Sequence, residues 1–120
     1  MGKMQRNKGR KGEIEFAHLC QDLGYKEAYR TAQHCGKAGH AGDVEGLPGI
    51  HIEVKRTEKL NLYEAMEQSI RDSVAANKGE IPIVAHRRNN KKWLIILNAD
   101  DFFKLYGAYR EHDKERTVQQ

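Results

Sequence analysis

The chain has 120 residues, enough for one domain around a single modest core. Hydrophobic residues make up 38% and charged residues 32%, with a formal net charge of +4. No apolar run reaches membrane-spanning length and the polar N-terminus lacks a signal peptide's apolar region, so a cytosolic protein with no membrane partner is expected.

The placement of the positive charge says more than its size. Lys3, Arg6, Lys8, Arg10 and Lys11 all precede the first acid, Glu13, and Arg87, Arg88, Lys91 and Lys92 bracket Asn89-Asn90. Blocks of this kind suit a polyanion, nucleic acid before any other. Two cysteines, Cys20 and Cys35, do not make a disulfide scaffold.

In chain order, a basic arm (residues 1–12) leads into a helix from about Glu13 to Leu23, closed by Gly24. Phe16, Leu19, Cys20 and Leu23 fall at i, i+3, i+4 and i+7 and form its apolar stripe. Tyr25 to Gln33 is a candidate first strand, and Gly36 to Gly42 reads as a loop. Two strands flank the turn Gly46-Leu47-Pro48-Gly49. Asn61 caps a second helix with Glu64 three residues on, and Leu62, Met66, Ile70 and Val74 supply its stripe. Ile81–Ala85 and Trp93–Leu97 form a hairpin through Asn89-Asn90. Asn98 or Asp100 caps a short last helix carrying Phe102, Phe103 and Tyr106. Residues 110–120 are polar and expected to fray. The order is α-β-β-β-α-β-β-α, an α/β domain (13–109) with a mixed central sheet, since the helix after Lys55 makes a crossover.

The chemistry gathers around that turn. On a strand, side chains alternate, so His51, Glu53 and Lys55 share one face while Ile50, Ile52 and Val54 point to the core. A hairpin through Gly46–Gly49 brings Asp43 near Glu53. Two carboxylates then suit a hard cation such as Mg²⁺ with the Lys55 ammonium beside it, the apparatus of phosphodiester hydrolysis. The bland alternative is a half-exposed strand with a solvated Glu/Lys face. His34, Cys35, His40 and His51 lack the paired spacing of a structural zinc site. His40 and His51 are either exposed or phosphate contacts. Tyr29 and Trp93, at apolar strand positions, read as core before they read as base-stacking residues.

Four segments in this order carry a resemblance: Lys11-Gly12-Glu13-Ile14-Glu15-Phe16, Gly42-Asp43-Val44, Ile52-Glu53-Val54-Lys55, and Ile81-Pro82-Ile83-Val84-Ala85 leading to Lys92-Trp93. The chain resembles the PD-(D/E)xK nuclease superfamily, and within it the archaeal-type Holliday junction resolvases and their phage-encoded relatives. The resemblance implies a restriction-endonuclease-like core. It implies Asp43, Glu53 and the Val54 carbonyl as ligands of one or two Mg²⁺, which Mn²⁺ can replace, with Glu13 completing the site or binding through water and Glu15 as its substitute. Lys55 would orient or deprotonate the attacking water, or stabilise the phosphate. Gln68 matches a glutamine that many members hold near the site, or else is plain surface. Where relatives carry Asp-Ile or Asp-Leu, this chain has Asp43-Val44-Glu45, and Glu45 is an extra ligand or simply exposed.

The implied activity is hydrolysis of branched DNA by a homodimer in a bacterial or phage-infected cytosol, leaving a 5′-phosphate and a 3′-hydroxyl. The basic arm, Arg56 and the Arg87–Lys92 cluster would contact DNA, and no organic cofactor is needed. A nuclease for flaps, ends or simple duplex and a non-catalytic DNA-binding module are the alternatives.

Overall fold

In this computed structural model, residues 2–31 and 41–119 are described, with side chains for 9–31 and 41–116. The elements are α1 (Gly2–Asp22), β1 (Tyr29–Arg30), β2 (Val44–Glu45), β3 (Ile50–Arg56), α2 (Leu62–Ala76), β4 (Ile81–Arg87), β5 (Leu94–Ile96) and α3 (Ala99–Gln119). The expected order therefore holds, as a single α/β domain. Strands lie side by side as β1-β2-β3-β4-β5, antiparallel except for β3 and β4. That parallel pair is joined by α2, because parallel neighbours need a crossover.

Each face of the sheet has its own helix. Ile52, Val54, Ile83 and Ala85 pack with Phe16, Ala17 and Cys20 of α1. Val84 packs with Ala65 and Met66 of α2. The register Glu53↔Val84 puts Glu53 on the α2 face. The central strand is thus covered on both sides, and His51 and Glu53 are buried rather than solvated.

Several elements differ from the sequence reading. The first helix starts at Gly2, not near Glu13, so the basic segment is helical. Leu23, expected in its stripe, is exposed because the helix has ended at Asp22. Among the described residues of the expected first strand, only Tyr29–Arg30 form a strand. In α2 the buried positions are Ala65, Met66, Ser69 and Ser73, whereas Leu62 and Val74 are exposed. The last helix is long, and residues 110–119 continue it instead of fraying. Asn61 behaves as expected, its side chain accepting the Glu64 N–H at 3.1 Å.

Two glycines shape the approach to the site. Gly46 has φ +106°, and a Cβ there would lie 2.3 Å from the Glu27 carbonyl oxygen. At Gly42 a Cβ would meet the Ile52 carbonyl oxygen at 2.8 Å. Without a side chain, the chain can press against β3 just before Asp43.

Candidate active site

Asp43 is fixed first by its backbone. Its N–H donates to the Ile52 carbonyl at 2.7 Å, and its carbonyl accepts the Thr31 N–H at 2.9 Å. Since Val44 pairs with Ile52 and belongs to the α1-side core, the preceding Asp43 side chain falls on the α2 face with Glu53. Asp43 Oδ2 accepts the Val54 N–H at 2.9 Å. A residue's N–H and C=O point to the same side of an extended strand, so the Val54 carbonyl faces the Asp43 edge as well.

Glu53 is 3% exposed and lies against Asp43 and His51. Burial, reinforced by the Asp43 carboxylate, raises its carboxyl from 4.5 to about 7; the His51 contact works the other way. Two buried carboxylates repelling each other beside a strand carbonyl make a donor set that fits a hard divalent ion, which would relieve that repulsion.

Lys55, two residues along the same face, donates from Nζ to Gln68 Oε1 of α2 at 3.1 Å. Both line an open cleft of ≈ 170 Å³ together with Leu60, Asn61, Glu64 and Ala65. The structure therefore places Asp43 and Glu53 together beside Val54, and Lys55 with Gln68 one step further along the same strand face.

The remaining residues are placed differently. Glu13 is bound at 2.8 Å by Arg30 Nε, on the α1 face, since Arg30 pairs with Val44. Glu15 bridges Arg87 Nη1 and Arg56 Nε, the latter at 3.5 Å, and serves as a structural counter-ion. Arg56 and Arg87 are thereby partly neutralised, whereas Arg10, Lys11, Arg88, Lys91 and Lys92 are exposed. Lys3, Arg6 and Lys8 have side chains outside the described set, and His34, Cys35 and His40 lie outside the described residues. Register Lys55↔His86 sets the basic hairpin at the Lys55 end of the sheet. Glu45 accepts the Tyr29 hydroxyl at 2.9 Å. Tyr29, expected in the core, is exposed because β1 is an edge strand. Trp93 packs edge-on against Phe16 at 5.0 Å, as a core residue does.

Two groups were not legible. His51, expected exposed or at a phosphate, is 2% exposed and its Nε2 lies 3.1 Å from Glu53 Oε1. Asp72 of α2 joins them, with one donor atom from each of the three within 4.8 Å of the others. The signal for Asp72 was its i+4 spacing from Gln68, which puts both on one helix face.

No protein-family model and no curated protein matches the chain.

Proposed function

We propose that the protein is a Mg²⁺-dependent DNA endonuclease of the PD-(D/E)xK kind that cuts branched DNA as a homodimer, a Holliday junction resolvase acting in recombination or repair. The observation that carries this reading is the convergence of Asp43, Glu53 and Lys55 on one sheet face, with Gln68 holding the lysine. Asp43, Glu53 and the Val54 carbonyl would hold the ion. Bound there, Mg²⁺ supplies an acidified water and neutralises charge on the phosphate. Lys55, kept in place by its hydrogen bond to Gln68, brings a positive charge to the scissile phosphate and orients the water. The exposed lysines and arginines of α1 and the hairpin grip the phosphate backbone without reading sequence.

The dimer is supported by α3. Phe102, Phe103, Tyr106 and Tyr109 lie ring against ring along it and are exposed. At ~150–250 Å² per aromatic side chain, half-exposed, these four offer on the order of 400 Å² of the ~800 Å² per partner in a standard interface. Leu23, Tyr25 and Ile95, which line a groove of ≈ 330 Å³ with Phe102 and Leu105, extend that surface.

Incubating pure protein with end-labelled four-way junction, flap and linear duplex, with Mg²⁺ or EDTA, tests the proposal. Symmetric nicks in the junction, only with Mg²⁺, are expected. Cleavage of flap or duplex alone favours the general-nuclease alternative, and binding without cleavage at any metal concentration leaves a DNA-binding module.

A further inference from the structure

We propose that His51, Glu53 and Asp72 form a second divalent-cation site, for a nitrogen-accepting ion of the Mn²⁺ class, which shares Glu53 with the Asp43 site. In sharing that carboxylate the inference rests on the nuclease reading; the binding of the ion itself does not require DNA cleavage.

The geometry is that of a ligand set. One donor atom from each residue lies within 4.8 Å of the others, and His51 Nε2 is 3.1 Å from Glu53 Oε1. Adjacent ligands of an octahedral ion with bonds of ~2.1–2.2 Å stand about 3 Å apart, so this pair already spans such an edge. The donors come from two elements. His51 and Glu53 alternate onto the α2 face of β3, and Asp72 approaches from α2.

The donor types select the ion. An imidazole with two carboxylates favours Mn²⁺, Fe²⁺ or Zn²⁺; Mg²⁺ prefers oxygen and retains water. The Asp43 end, which offers only oxygen, suits Mg²⁺. One chain thus presents two chemically distinct cation sites on either side of Glu53.

The surroundings hold the helix ligand in position. Ser69 Oγ donates to the Ile83 carbonyl at 2.9 Å and Ser73 Oγ to the Glu80 carbonyl at 2.8 Å, so both flanks of Asp72 are tied to the β4 side. His51 also lines a cavity of ≈ 110 Å³ with Gly42, Glu45, Lys78 and Glu80.

Mn²⁺ binding to the full chain without DNA, followed by the paramagnetic resonance signal of the free ion, tests the assignment. Wild type should bind two Mn²⁺, Asp72→Asn and His51→Gln one each, and Asp43→Asn one, with Mg²⁺ displacing only one ion from wild type. Two ions retained in both Asp72→Asn and His51→Gln would overturn the proposal, as would no binding to wild type. A single ion lost in Asp43→Asn but kept in Asp72→Asn would overturn it and leave the nuclease metal site standing. The reverse pattern would keep the proposal and remove the nuclease site. Because His51 is buried, its variant can fail to fold, so the His51 ring protons of Asp43→Asn protein, in which the Asp43 site is removed, are also followed by NMR. Broadening by substoichiometric Mn²⁺ supports the site, and sharp signals at saturation refute it.

Discussion

At the scale of single residues, Glu53 pits burial against charge. Its carboxyl titrates at about 7 in the fold against 4.5 for the free group. Between those values the native state holds a proton that the unfolded chain has released, so stability falls as pH rises through that window. In EDTA, the melting temperature should drop by several degrees from pH 4.5 to 7. Glu53→Gln should flatten that slope, and a slope unchanged in the variant would remove Glu53 as its source. Divalent cation at pH 7 should recover the lost stability, because it binds the ionised form. In cleavage, Asp43→Asn and Glu53→Gln should each slow the reaction by on the order of 10²–10³-fold, comparable to removing one preorganised electrostatic group. DNA affinity should stay near wild type; a binding defect that accounts for all of the lost rate would mean these residues hold DNA instead. That Asp43 lies beside Glu53, with Lys55 on the same strand face, was legible because strand alternation and one tight turn suffice to place them. His51 was misread because the sequence does not show that α2 covers the face it shares with Glu53.

At the scale of elements, caps and turns were read well, and lengths and buried faces less well. Asn61 and the Gly46–Gly49 turn announce themselves by local chemistry, and each is where expected. The stripe of α2 was drawn through its largest apolar residues. The sheet instead takes Ala65, Ser69 and Ser73, small enough for close approach, and leaves Val74 72% exposed. Tertiary packing against a site-bearing strand overrode simple periodicity there. Ser69 shows what the close approach requires, since its hydroxyl satisfies the Ile83 carbonyl from a fully buried position. The N-terminal half of α1 carries the basic residues on a helix rather than a loose arm. Deleting residues 1–11 removes five positive side chains. Binding to every DNA shape should weaken alike and its salt dependence should flatten, since each phosphate contact contributes about 0.9 to the slope on duplex. A wild-type salt slope in the truncated protein would mean this segment does not touch DNA.

At the scale of the whole molecule, the principal extents of 56 × 32 × 28 Å describe an elongated body. Two of its helices have 21 residues each, and a straight helix of that length runs about 31 Å. If α3 is the surface that joins two copies, Phe103→Glu with Tyr109→Glu should convert a dimer to a monomer in sedimentation while leaving the fold intact. The variant should then lose paired nicking of a four-way junction, since two symmetric cuts need two sites in one assembly. An unchanged dimer would move the interface elsewhere. The central claim, that this sheet face performs phosphodiester hydrolysis, does not depend on the dimer and is tested most directly at Lys55. Single-turnover cleavage of a labelled junction in Mg²⁺ should be slowed by on the order of 10²-fold or more in Lys55→Ala, with junction affinity unchanged. Cleavage by Lys55→Ala at the wild-type rate would contradict the account and leave Glu53 and Lys55 as a structural pair on an ordinary strand.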